Sequence, residues 1–286
     1  MPLTFVPTPL GNLRDITLRA LDTLRDCELL VAEDTRVARK LLSALKLPPK
    51  PLRSYREHNA AAVTNSIIEA AREQRVAVTC DAGTPGISDP GADLIAAARQ
   101  KGIAIEVLPG PSAAVSAAVL SGFDLHEFRF AGFLRRTSGA RKAAFAEFEQ
   151  EGLPTTIWFE SPQRIHGALR DLDSIDPHRR CFVLREYTKL HEQQILGNAN
   201  EVAAALHRPV RGEIVLVVEG ERRKRKAHAD FDRAAESLLG ENHSLASVAK
   251  TLAQRGYGAR REIYSRLLQR KAREQDARPT SERRKR

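Results

Sequence analysis

The chain has 286 residues, with 46 lysines and arginines against 36 aspartates and glutamates, a net charge of +10 at pH 7. That length suffices for two or three compact units with sizeable cores. Met1 to Pro9 has neither the basic start nor the apolar core of a signal peptide, and the apolar stretch Ser112–Leu120 is far too short to span a bilayer. Three scattered cysteines, Cys27, Cys80 and Cys181, form no CxxC pair. They argue against a disulfide scaffold or a metal site and for a reduced, cytoplasmic setting.

Taken in order, Leu3–Val6 reads as a short strand ending in Pro7-Thr-Pro-Leu-Gly11. Asp15 to Leu24 is a helix with leucines at 18, 21 and 24 and Asp15 as its N-cap. Glu28–Ala32 is a strand that runs into Glu33-Asp-Thr-Arg36, followed by a helix over Val37–Leu45 that Pro48-Pro49 stops. Leu52–Tyr55 reads as a strand and Ala60–Gln74 as a helix. Arg75–Cys80 is the strand before Asp81-Ala-Gly-Thr-Pro-Gly-Ile-Ser-Asp-Pro-Gly91, and a helix from Ala92 to Lys101 follows. Ile103–Leu108 is another strand, then Pro109-Gly-Pro-Ser112 and a small-residue helix to Leu120, closed by Gly122.

A second alternation begins near Phe128. Strands are expected over Phe128–Phe133, Thr155–Phe159, Cys181–Leu184, Gln194–Leu196 and Glu213–Val218, with helices over Ser138–Glu149, Ile165–Leu172 and Glu201–Leu206. The spacing then predicts helices over Phe231–Leu239, Ser244–Gln254 and Arg260–Gln269, the last two in a helix-turn-helix-like arrangement. The expected organisation is α/β: two α/β/α domains (1–122 and 123–220), a basic linker (221–230), a small helical domain (231–270) and a basic disordered tail (271–286).

The charge is unevenly spread. Residues 221–226 carry +4 and 270–286 carry +5, so the rest is nearly neutral. Positive charge in a linker and a tail can meet phosphates without distorting a core, although solubilising charge explains it equally well.

Strands alternating with helices indicate a parallel sheet covered on both faces. The turns at 7–11, 33–36, 81–91 and 109–112 all follow strands, so they fall on one edge of that sheet and converge on one crevice. The 81–91 loop is the richest. Its glycines allow a close approach to the backbone and its prolines hold that backbone rigid, with Asp81 and Asp89 at the mouth. An ordinary connection capped by Asp89 or Asp93 is the plainer alternative. No P-loop, no G-x-G-x-x-G and no zinc spacing is present, and no metal is expected. Pattern alone yields a ligand-binding α/β protein with an anionic partner.

The motifs carry more. Val6-Pro-Thr-Pro-Leu-Gly-Asn12, Ala32-Glu-Asp-Thr-Arg36, Tyr55-Arg-Glu-His-Asn59, the 81–91 loop, Leu108-Pro-Gly-Pro-Ser112, Phe159-Glu-Ser-Pro-Gln-Arg164, Arg185-Glu-Tyr-Thr-Lys189 and Arg211-Gly-Glu-Ile-Val-Leu-Val-Val-Glu-Gly220 occur in that order. Together they closely resemble the small-subunit ribosomal RNA methyltransferase I family, of the tetrapyrrole methylase-like class, from residue 3 to about 220. The resemblance implies S-adenosylmethionine-dependent 2′-O-methylation of a cytidine in 16S rRNA, a homodimer, and a cofactor held between two α/β domains. It places the cofactor against Leu10, Gly83, Thr84, Ile87, Ser112, Ala113 and Glu213, with Asp81 shaping the loop. Arg56, and the lack of a proline in Gly132-Phe-Leu-Arg-Arg136, depart from the family pattern outside the cofactor loops.

A ribose hydroxyl is a weak nucleophile and needs a base or strong acceptor nearby. The candidates are Glu33, Asp34, His58, Glu186 and Lys189. Lys189 needs a lowered pKa, which like charge on Arg185 would favour. For each, an ion pair or helix cap is the competing role. Arg36, Asn59, Arg164 and Arg185 are the candidates for holding RNA, with salt bridges as the alternative for the arginines. A small-molecule methylase of the same fold and a non-catalytic RNA-binding assembly factor remain as rival readings.

Overall fold

The computed structural model describes residues 2–149, 153–220, 228–240 and 243–276. Residues 1–220 form one compact unit and 221–286 another.

The first sheet contains β1 (Leu3–Phe5), β2 (Leu29–Ala32), β3 (Leu52–Ser54), β4 (Val76–Thr79) and β5 (Ile105–Val107). All neighbouring strands pair in parallel, in the order β3-β2-β4-β1-β5. Strands β1, β2 and β4 are buried on both faces, which is why they read as unbroken apolar runs rather than alternating ones. Helices α1 (Leu18–Asp26) and α2 (Thr35–Ala44) cover one face through Leu24, Ala38 and Leu42. Helices α3 (Ala60–Glu73) and α4 (Ala92–Gln100) cover the other through Ile67, Ile68 and Leu94.

Two local expectations are revised. Asp15 does not cap α1: it belongs to a single 3-10 turn, Leu13–Asp15, and Thr17 caps the helix by accepting from the Ala20 amide. Neither Asp89 nor Asp93 caps α4, whose N-cap position is Gly91 with no side-chain hydrogen bond.

The second sheet contains β6 (Phe128–Phe133), β7 (Thr155–Glu160), β8 (Arg180–Arg185), β9 (Gln193–Asn198) and β10 (Ile214–Val218), in the order β6-β7-β10-β8-β9. Only β6 and β7 are parallel; the other pairings are antiparallel. One face is covered by α6 (Ser138–Ala146), α7 (Ile165–Ile175) and α8 (Ala199–Ala205), through Phe145, Ile165, Leu169 and Val202 around Trp158. The other face is covered by α5 (Ala113–Ser121), whose Ala114, Ala117 and Ala118 pack on Ile157, Phe182 and Val217. The turn at Gly122 therefore follows a helix that the chain has already handed to the second sheet.

The second unit has its own core. Helices α9 (His228–Gly240), α10 (Leu245–Gln254) and α11 (Arg260–Asp276) gather Phe231, Ala235, Val248, Leu252, Ile263 and Leu267. The Arg266 guanidinium lies over the Phe231 ring, 3.9 Å from its centroid. Helix α11 continues to Asp276, into the stretch expected as tail. The basic run 221–226 and residues 277–286 lie outside the described residues. Among the described residues, no helix is long and apolar enough to cross a membrane.

Candidate active site

Parallel pairing puts the ends of β1, β2, β4 and β5 on one edge, so the four turns meet there. Thr8 and Gly83 exchange backbone hydrogen bonds, both 2.9 Å, which ties the β1 turn to the 81–91 loop. Gly83 has φ +81°, and a side chain there would press on Leu10. The Thr84 hydroxyl donates to the Pro111 carbonyl at 3.0 Å and fixes that loop to the start of α5, where Ser112 is the N-cap. The Asp34 amide donates to the Asp81 carboxylate at 3.1 Å and joins the β2 turn.

These turns and the facing ends of the second sheet enclose a cleft of about 260 Å³. Five carboxylates line it: Glu33, Asp81 and Asp89 from turns of the first sheet, Glu160 and Glu213 from the second. The rest is largely apolar, with Leu10, Phe133, Phe159, Leu184, Ile214 and Val215. Crowded carboxyls resist ionisation together. Burial, reinforced by the Asp81 charge, raises Glu33; burial raises Asp81 as well. Asp89 is pushed up to about 6, first by burial and then by the Glu33 charge. Among the described residues no three His, Cys, Asp or Glu side chains are grouped to hold a metal ion.

Glu160 is the most confined of the five, with its side chain 0% exposed. One carboxylate oxygen accepts from the Ser161 amide at 2.6 Å and from Arg164 Nε at 2.8 Å, and the other has no hydrogen-bond partner. A buried carboxylate oxygen without a donor is costly in isolation, so it suits a ligand that brings one.

The candidates from sequence divide clearly. Glu33, Leu10, Asp81, Ala113 and Glu213 line the cleft; Gly83, Thr84 and Ser112 build its rim; Ile87 is exposed on the loop. Asp34 caps α2 and pairs with Arg36 and Arg56, and its carboxyl is held far below the usual range, first by the Arg36 hydrogen bonds. Arg164 is committed to Glu160. Asn59 stabilises its own turn, accepting from the Arg56 amide and donating to the Ser54 carbonyl. Arg185 donates to the Arg211 and His191 carbonyls and to Gln193. His58 is exposed in the turn before α3.

Lys189 behaves opposite to expectation. Its ammonium lies 2.9 Å from Glu186 and 3.1 Å from Glu213. Burial works against that charge, but the Glu186 hydrogen bond and the Glu213 charge outweigh it and raise the pKa. The two carboxylates, not Arg185, set its charge. Glu186 in turn is held below its usual range: burial opposes ionisation, yet the Glu213 amide and Lys189 prevail.

Sequence reasoning missed Glu160 and the apolar wall. Glu160 was legible only as part of the Phe159–Arg164 motif, and strand-end aliphatics such as Leu184 look like any other core residues.

Residues 2–203 match the family model of tetrapyrrole (corrin/porphyrin) methylases. Among curated relatives, the ribosomal RNA small subunit methyltransferase I of Hydrogenobaculum sp. is 41% identical, over 77% of this chain and 96% of its own. That of Thermotoga maritima is 40% identical, over 76% and 98%. The fold also matches the crystal structure of uroporphyrin-III C-methyl transferase from Thermus thermophilus complexed with S-adenyl homocysteine. The TM-score is 0.52 and the identity 18%, over 77% of this chain and 98% of that one. The ordered turns, the two sheets and these matches converge: the chain belongs to the tetrapyrrole methylase family, within its ribosomal RNA small subunit methyltransferase I branch.

Proposed function

We propose that the cleft holds S-adenosylmethionine and that the protein methylates the 2′-hydroxyl of a cytidine ribose in 16S rRNA of the small ribosomal subunit. The observation that carries the cofactor reading is a cleft lined by five carboxylates, drawn from both sheets, together with apolar side chains. A ligand with a sulfonium, an ammonium and several ribose and adenine donors matches both, because opposite charge and hydrogen bonds compensate the crowding of the carboxyls. Bound there, the cofactor would supply an electrophilic methyl group, with its sulfonium sulfur as the leaving group that becomes a neutral thioether.

The protein's own residues position and deprotonate. Leu10, Gly83, Thr84, Ile87, Ser112 and Ala113 form the rim against which the cofactor lies, and Asp81 and Glu213 face it from opposite domains. Alignment of two bound reactants supplies much of the rate. Asp89 and Glu33 are the proton acceptors for the ribose hydroxyl: both line the cleft and both are raised above ordinary carboxyls, and Asp89, at about 6, is ionised near neutrality yet more basic than usual. Arg36, at the rim with its side chain 77% exposed, is available to an RNA phosphate beyond its pair with Asp34. Asp34, Asn59, Glu186, Lys189, Arg164 and Arg185 hold the turns in place, and His58 stands ready at the surface.

The RNA substrate is favoured over a tetrapyrrole because the relatives near 40% identity carry the rRNA name, whereas the uroporphyrin enzyme is 18% identical. The work belongs to the cytoplasm, and to a homodimer: the outer side of α5 exposes Val115 (52%) and Val119 (66%) next to Leu120, an apolar strip suited to a second copy.

The test is calorimetric titration with S-adenosylmethionine of the wild type and of Thr84→Arg, alongside transfer of labelled methyl groups to small subunits. Binding that the variant lacks, with label in cytidine 2′-O-methyl, is expected. A wild type that binds no cofactor even with small subunits present overturns the reading.

A further inference from the structure

Strand β6 ends in Gly132-Phe-Leu-Arg-Arg136 at the cleft. Phe133 lines the cleft and is 57% exposed. A lone exposed apolar residue is ordinary; this one is held out by its backbone. Strands β6 and β7 pair in register up to Phe130 and again at Phe133, with a bulge between, where Gly132 has φ +67°. Successive strand residues alternate faces, so Phe130 and Phe133, three apart, would ordinarily point opposite ways. The bulge turns Phe133 back: both rings pack edge-on against Phe159, at 4.9 and 5.7 Å between centroids. The bulge also lies against the 81–91 loop, since a Cβ on Gly132 would come 3.8 Å from the Ser88 hydroxyl. The ring therefore stands between the two sheet edges, braced on one side and open to solvent on the other.

Two cations follow it on an equally firm footing. Leu134 is buried, and its amide donates to the Phe159 carbonyl at 3.0 Å. Behind the loop, Arg141 and Asp171 form a buried ion pair, 2.7 Å apart. Arg141 Nη1 donates to the Arg136 carbonyl at 2.7 Å, and the Ser138 hydroxyl donates to Asp171 at 2.7 Å. Such a pair adds little net stability; what it supplies here is one fixed loop shape. The Arg135 and Arg136 side chains are exposed, and among the described residues neither has an ion-pair partner.

An open aromatic face followed by two unpaired guanidinium groups on a rigid loop suits a nucleic-acid strand. Unstacked bases lie on such rings, and phosphates pair with arginine. S-adenosylmethionine carries no phosphate, so the arginines point beyond it to the RNA.

We propose that Phe133 is the stacking platform for the acceptor nucleobase, and that Arg135 and Arg136 hold the phosphates flanking it. This rests on the methyltransferase reading above and adds to it the surface that receives the RNA strand. Because every base has a π-face, the platform supplies affinity and placement rather than the choice of cytosine.

The experiment uses the full-length protein, S-adenosylmethionine and unmethylated small subunits. Phe133→Ala removes an exposed ring, so its melting temperature should match the wild type. Its kcat/KM for subunits is expected to fall about 10–100-fold, as for one lost stacked base, with cofactor affinity by calorimetry unchanged. Phe133→Trp keeps an aromatic face and should recover most of that loss. The double variant Arg135→Ala/Arg136→Ala should weaken subunit binding and flatten the slope of log Kd against log salt by about 1.4, as for two phosphate contacts to a single strand. Wild-type kcat/KM in Phe133→Ala, an unchanged salt slope in the double variant, or a loss of cofactor affinity that accounts for the whole fall in transfer overturns the proposal and leaves the methyltransferase reading standing. So does a change of oligomeric state in Phe133→Ala, which would make the ring a contact between copies. A wild type that binds no S-adenosylmethionine even with small subunits present overturns the reading and the proposal together.

Discussion

Replacing Asp89 with asparagine should make the protein more stable and less active. In the cleft this carboxyl is moved from its ordinary 3.8 to about 6 by burial and by the charges of Glu33 and Asp81. At about 1.4 kcal/mol per unit, the ionised form carries a cost of about 3 kcal/mol in the folded state. Asp89 is only partly buried and shares its repulsion with Glu33, Asp81 and Glu213, so about 1–2 kcal/mol is the gain expected from Asp89→Asn at pH 7.5. The sign follows from linkage. Below pH 4 the carboxyl is protonated in folded and unfolded chains alike, and the amide gains nothing. Between pH 4 and 6 the folded carboxyl keeps a proton that the unfolded one has shed, and above 6 the whole cost is felt. Thermal melts should show a rise of about 3–6 °C at pH 7.5 and a rise about a third as large at pH 4.5, where the linkage is only partly developed. An unchanged melting temperature at pH 7.5, or an equal rise at both, refutes the reasoning. Methyl transfer by the same variant should drop at least 100-fold.

In the wild type, methyl transfer under saturating substrates should fall about tenfold per pH unit below pH 6, as the acceptor carboxyl takes up its proton; a flat profile down to pH 5 counts against Asp89. Arg164→Ala leaves the buried Glu160 carboxylate without its cation and should cost about 3 kcal/mol in urea unfolding. At Gly212 the backbone has φ +89° and a Cβ would overlap the Glu186 carboxyl group, so Gly212→Val should lose about 2 kcal/mol and break the Lys189 bridge between Glu186 and Glu213, seen as a weaker affinity for cofactor. A chain ending at Gly220 keeps every core cluster of the first unit, so it should melt cooperatively and bind cofactor within twofold of full length, while its binding to small subunits becomes less salt-dependent.

The edge on which the cleft is built was readable because parallel strands leave no choice: once Leu3–Val6, Glu28–Ala32, Arg75–Cys80 and Ile103–Leu108 are strands joined by helices, their following turns share one edge. Glycines at 83 and 91 with positive φ marked the tightest of those turns. What stayed hidden depends on contacts between distant segments. Whether Lys189 is a base or half of an ion pair turns on Glu213, 24 residues onward, and on how β8 and β10 pair. Asp34 looks like a catalytic carboxylate beside a phosphate-holding Arg36, and is a helix cap whose counter-ion is that arginine. The packing of α5 was concealed for another reason: a helix of alanines, valines and serines has no apolar stripe to declare which sheet it covers.

That last feature decides where this protein can be divided. A fragment ending at Gly122 would carry α5 without the sheet it covers, leaving Ala114, Ala117 and Ala118 bare, and its counterpart would lack a layer over Ile157, Phe182 and Val217. The natural cut lies before the helix, within Pro109-Gly110-Pro111. Any scheme that splits, permutes or recombines the two halves should place its junction there, so that each piece keeps its sheet clothed on both sides.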